Sequence, residues 1–166
     1  TFEGLFEDVM AIGRALGMRV LMSAFKGRAD MGTLYTPFER VLAESDVITL
    51  HCPLLPQTRH MIGAPEFALM RRAPLLVNTA RGGLVDEAAV GPALASGQIS
   101  GAAFDVVSVE PPAPGHPFMA LLDRPDFILT PHVAWASDEA VQSLADQLVD
   151  NVEAFVRGVP QHVVDL

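Results

Sequence analysis

Cysteine is nearly absent: Cys52 is the only one in 166 residues. A lone thiol excludes an internal disulfide and agrees with a reducing compartment. Long apolar runs are missing as well. Half the residues are hydrophobic, yet no stretch approaches the roughly 20 consecutive apolar residues of a membrane span. Basic residues are scarce, with 11 Lys and Arg against 20 Asp and Glu for a net charge of -9. Such an acidic balance repels nucleic acid and anionic membrane surfaces, so neither is expected as a partner. The amino terminus shows no charged-then-apolar leader, and a cytoplasmic location is expected. The chain begins with Thr1 rather than Met, which points to a processed or partial sequence.

What is present is an alternation of helical and strand patterns. Leu5, Val9, Ile12 and Leu16 stand at helical spacing before Gly17, and Met18 to Met22 reads as a short apolar strand. "PFERVLAESD" predicts a helix before the strand "VITLHC", and "APEFALMRRA" a helix before "PLLVNTA". "DEAAVGPALASGQ" leads in the same way into "ISGAAFDV", and the loop "VEPPAPGHP" leads to the strand "FILTP". The longest helical pattern follows, with Ser137 as N-cap and Gly158 as stop. Nearly continuous apolar strands alternating with helices predict an α/β fold, a Rossmann-type doubly wound parallel sheet covered on both faces.

In such sheets ligands bind beyond the carboxyl ends of the strands, where this sequence places "HCPL", "NTARGG", "DVVSVEPP" and "TPHVAW". Arg81 directly follows a buried strand, a costly place for a cation unless it meets an anion. Its guanidinium can grip a carboxylate with two parallel hydrogen bonds, although a structural salt bridge accounts for it equally well. His132 stands in the equivalent place after "FILTP", and imidazole is the usual carrier of one proton near neutral pH. A lone histidine is more often structural. Glu110, also past a strand end, raises the odds, because a carboxylate beside imidazole stabilises its protonated form. Asp105 ends a strand and reads as either a cofactor-facing acceptor or an ordinary loop residue. Cys52 reads as a small buried apolar residue. His51, His60, His116 and His162 lack metal-ligand spacing and read as structural or exposed.

Together, "TLHCPLLPQTRHMIG", "VNTARGGLVDE", "AAFDVVSVEPP" and "TPHVAWAS" resemble the D-isomer-specific 2-hydroxyacid dehydrogenase family over almost the whole chain. The likeness is greatest to its glycerate dehydrogenase and hydroxypyruvate reductase branch. The resemblance implies hydride transfer between a nicotinamide cofactor, NAD or NADP, and a small 2-hydroxy or 2-keto acid such as glycerate, hydroxypyruvate or glyoxylate. It implies catalytic roles for Arg81, Glu110 and His132. It places Thr79, Ala80, Arg81, Asp105 and His132 toward the nicotinamide end, Cys52, Pro53 and Thr58 toward the adenosine end, and Gly4 and Leu5 in the phosphate turn. Homodimers are common in such a family, and one is expected here. Residues 1–136 would form an amino-terminally truncated nucleotide-binding domain, and 137–166 a helix and tail that pack on a substrate domain not included in the chain.

The sequence also departs from the family pattern. The three positions of the G-x-G-x-x-G turn fall on Thr1, Glu3 and Phe6, and Glu3 would bring a negative charge toward a diphosphate. Gly4 offers one shifted glycine for a rearranged turn, which is weak compensation for the three replaced. Where an acidic residue would bind the ribose hydroxyls of NAD stands Ala24, with Lys26 and Arg28 nearby, so NADP is at least as well accommodated. The isolated chain is expected to show little turnover. A non-catalytic module that uses the fold for dimerisation or regulation is the competing reading.

Overall fold

The computed structural model describes residues 2–28 and 30–163, and for residues 2–6 the backbone alone. Thr1 lies outside the described residues, and the expectations resting on Glu3, Gly4, Leu5 and Phe6 concern contacts that fall outside them too. The chain divides into two compact units, one ending at Pro131 and one beginning at His132.

The first unit contains the helices α1 (Phe2–Ala15), α2 (Phe38–Glu44), α3 (Ala64–Phe67) and α4 (Glu87–Ala95) and the strands β1 (Val47–Leu50), β2 (Leu75–Asn78), β3 (Gly101–Phe104) and β4 (Phe127–Leu129). The strands form one parallel sheet in the order β1-β2-β3-β4. Parallel neighbours need a crossover connection, and the segments containing α3 and α4 supply two of them. The register pairs Leu50 with Asn78, Asn78 with Phe104, and Phe104 with Leu129. The residues that follow, His51, Thr79, Asp105 and Thr130, therefore leave the sheet along one edge.

The core packs on one face of this sheet. Phe38 and Leu42 of α2, Phe67 of α3, and Val90, Ala93 and Leu94 of α4 join Leu76, Phe104 and Phe127 in a single cluster. Phe118 completes it from a 3-10 turn at Pro117–Leu121, which the sequence pattern does not reveal. Its ring centroid lies 4.6 Å from that of Phe104 and 5.1 Å from that of Phe127. Burying a side chain of this size contributes roughly 1.5 to 3 kcal/mol.

The α/β parallel sheet expected from the sequence is present, and two local expectations are corrected. On the face away from the core, Val47, Leu75 and Ile128 are 44%, 47% and 60% exposed. Apolar runs hide this alternation, because the sequence does not say which face an apolar side chain points to. The run Met18–Met22 is not a strand. Ser23, just past it, forms an isolated bridge to Thr36, with Thr36 N–H donating to Met22 O and Ala24 N–H to Thr36 O, whereas a strand requires a hydrogen-bonded neighbour along its length. The helix expected over "APEFALMRRA" is only the four residues of α3, after which the chain tightens into turns at Leu69 and Met70.

The second unit is dominated by α5 (Asp138–Val156). Ser137 caps it as expected, its Oγ accepting from Ala140 N–H at 3.2 Å. Gly158, with φ +77°, takes the left-handed conformation that ends helices. Leu144, Leu148, Val152 and Phe155, on one stripe of α5, are all more than half exposed. Among the described residues no helix is long and apolar enough to cross a membrane.

Candidate active site

Arg81 lies in the turn after β2, and the preceding Asn78 shapes that turn. Asn78 is 1% exposed. Its Oδ1 accepts from Ala80 N–H at 3.1 Å and its Nδ2 donates to Arg81 O at 3.0 Å. Both ends of one buried amide thus hold the backbone on either side of Arg81. The guanidinium is exposed and donates through Nη1 to Ala80 O at 2.6 Å, which leaves further N–H groups to receive an anion. The strand pattern alone does not reveal that Asn78 shapes this turn; the signal for it is an amide within an otherwise apolar strand, where burial demands partners.

Glu110 lies in the loop after β3, and its Oε1 accepts from Val107 N–H at 3.2 Å. Gly82, next to Arg81, meets this loop directly. A Cβ on Gly82 would fall 2.0 Å from both the carbonyl carbon and oxygen of Val107 and 2.4 Å from Ser108 N. The structure therefore brings the Arg81 and Glu110 loops into backbone contact that only glycine permits.

Asp105 is 4% exposed and accepts from Thr130 Oγ1 at 2.5 Å. Its carboxylate sits at the carboxyl edge of β3, tied to the end of β4. His132 opens the second unit, immediately after Pro131. Its φ is +57°, a conformation uncommon outside glycine, and its carbonyl accepts from the indole N–H of Trp135 at 2.7 Å.

Toward the β1 edge, Thr58 is buried, and its hydroxyl donates to Pro53 O at 2.8 Å while accepting from Leu55 N–H at 2.7 Å. It closes the loop 53–58. Cys52 is half-buried with Sγ 3.7 Å from Met61 Sδ, and burial pushes its thiol pKa up, the opposite of an activated nucleophile. A cavity of about 310 Å³ is lined by Phe25, Lys26, Arg28, Gln57, Thr58 and Met61. Lys26 Nζ lies 2.7 Å from Oε1 of the buried Glu66, so its charge is countered. Arg28 is 65% exposed and approaches Asp30 at 4.0 Å. Ala24, beside the cavity-lining Phe25, is buried and brings no carboxylate.

A parallel sheet with chemically equipped loops along its carboxyl edge defines the α/β class that binds nucleotides at that edge. The chain belongs to the D-isomer specific 2-hydroxyacid dehydrogenase family: residues 7–134 match the model of its NAD binding domain. It is 54% identical over 164 residues to a glycerate dehydrogenase of Methylorubrum extorquens, covering 99% of this chain and 51% of that protein. A hydroxypyruvate reductase of Blautia hydrogenotrophica is 39% identical, with 93% of this chain and 48% of the relative covered. Among solved structures, the NAD-complexed D-isomer specific 2-hydroxyacid dehydrogenase of Lactobacillus delbrueckii ssp. bulgaricus superposes with TM-score 0.80 at 28% identity, over 93% of this chain and 51% of its own. The D-lactate dehydrogenase of Aquifex aeolicus complexed with NAD and lactic acid gives TM-score 0.78 at 34% identity, over 90% and 49%. The chain spans about half the length of each of these four relatives.

Proposed function

We propose that this chain is the nucleotide-binding part of an enzyme that reduces a short 2-keto acid, such as hydroxypyruvate or glyoxylate, to the D-2-hydroxy acid. The observation that carries the reading is Arg81, held between two backbone bonds from Asn78 with its guanidinium exposed at the carboxyl edge of the sheet. In this reading Arg81 anchors the substrate carboxylate through paired hydrogen bonds. His132 donates a proton to the carbonyl oxygen as negative charge develops there, and Glu110 is the carboxylate that orients it. When bound, the nicotinamide supplies the hydride.

The cavity formed by Phe25, Lys26, Arg28 and Thr58 fits the adenosine end of a dinucleotide, because it joins an apolar wall to a cation. With Ala24 in place of an acid and Arg28 exposed, a 2′-phosphate meets attraction rather than repulsion, so NADPH is accepted alongside NADH. Thr79, Ala80 and Asp105 face the nicotinamide end, and Cys52 and Pro53 the adenosine end. The exposed apolar stripe of α5 packs on the substrate domain of the whole protein, which is a cytosolic homodimer.

The competing reading, a non-catalytic dimerisation or regulatory module, draws on the loss of glycine at Thr1, Glu3 and Phe6. A titration with NADH and NADPH, following quenching of Trp135, tests the binding half of the proposal. Saturation below millimolar cofactor supports it. Absence of binding at that level, a free energy weaker than about -4 kcal/mol, removes its basis.

A further inference from the structure

A buried polar cluster underlies the Glu110 loop. Glu87, the first residue of α4, and His116 have side chains only 10% and 9% exposed. Glu87 Oε1 accepts from Ser108 N–H at 2.7 Å, while Oε2 accepts from Ser108 Oγ at 2.7 Å and from His116 Nε2 at 2.9 Å. His116 Nδ1 accepts from Phe118 N–H at 3.2 Å. A ring nitrogen that accepts carries no proton, so the proton is on Nε2 and points at Glu87. The far side of the cluster is fixed by Phe118, which is fully buried and meets the His116 ring edge-on at 5.2 Å.

Ser108 is two residues before Glu110, and successive amides of this loop go to different carboxylates. Val107 N–H is held by Glu110 itself and Ser108 N–H by Glu87. The same peptide is the surface on which Gly82, adjacent to Arg81, rests. A carboxylate buried without hydrogen bonds would be costly. Here three donors converge on Glu87, and each belongs to the loop between β3 and the 3-10 turn.

We infer that Glu87, Ser108 and His116 are positioning residues, a strap anchored on the buried Glu87 and His116 that ties the Glu110 loop to α4 and so fixes where Glu110 stands beside the turn bearing Arg81. The inference rests on the proposed dehydrogenase activity. The strap acts through Glu110 and touches neither substrate nor cofactor. Replacing Glu87 with glutamine would turn an acceptor oxygen into a donor facing donors, whereas Ser108→Ala removes one hydrogen bond at an exposed residue and spares the core.

The test uses the full-length protein and compares wild type, Ser108→Ala, Glu110→Gln and the double variant in hydroxypyruvate reduction. A small displacement of a reacting group costs up to about a hundredfold in rate. The expected result is a fall in kcat of about tenfold or more for Ser108→Ala, with the dissociation constant for NAD(P)H unchanged. In the Glu110→Gln background the same substitution costs nothing further, because the strap works through Glu110. Hydrogen exchange at the Val107 and Ser108 amides quickens in Ser108→Ala, and Ser108→Thr restores both protection and rate. Active wild type with an unaffected Ser108→Ala, or losses that multiply in the double variant, overturns the strap alone. Wild type without turnover overturns the proposed function and the strap with it.

Discussion

Gly82 stands so close to Val107 that a methyl group on its α-carbon would lie 2.0 Å from the Val107 carbonyl. Two loops that leave neighbouring strands are pressed together at this contact, one bearing Arg81 and the other Glu110. Gly82→Ala cannot be absorbed by a side-chain rotation, since the obstacle is backbone. The expected destabilisation is about 3 kcal/mol, at the upper end of overpacking costs, measured by urea unfolding.

Arg81→Lys tests the anchoring role. The guanidinium already donates to Ala80 O, and an ammonium at this point cannot keep that bond and also offer a planar pair to a carboxylate. Losing one charge-assisted hydrogen bond costs on the order of 2 kcal/mol, so kcat/KM of the full-length enzyme falls about thirtyfold.

His51 gives the protein a pH-dependent stability. Burial pushes its pKa below the ordinary histidine value, so the folded state favours the neutral ring. The resulting stability is complete above the unfolded pKa of about 6.5 and is lost as pH falls through the lower folded value. Thermal unfolding at pH 7 and pH 5 should show a smaller drop in Tm for His51→Gln than for wild type.

Cys52 should alkylate slowly. It is half-buried, and its thiol pKa is raised by burial, both of which deplete the reactive thiolate. Iodoacetamide at pH 8 should modify it about tenfold more slowly in the native protein than in urea.

Features set by local rules were legible in the sequence. Ser137 caps α5 because a hydroxyl beside the first free amides needs no distant partner. Arg81, Asp105, Glu110 and His132 could be placed because each follows a strand pattern. Features set by distant contacts were hidden. His116 read as an ordinary structural or exposed histidine, yet its partner Glu87 is 29 positions away. Asn78 lies within the strand pattern "PLLVNTA", and only its burial and its bonds to Ala80 and Arg81 show that both ends of its amide shape the Arg81 turn. Met18–Met22 has the composition of a strand, but the pairing that makes one is decided elsewhere in the chain.

The most direct measurement is steady-state reduction of hydroxypyruvate by the full-length protein with NADH or NADPH, comparing wild type with Arg81→Ala and His132→Ala. The expected result is turnover by the wild type and a loss of kcat/KM of about a hundredfold or more in each variant. Turnover that survives both substitutions unchanged, or a wild type that reduces no 2-keto acid, would contradict it.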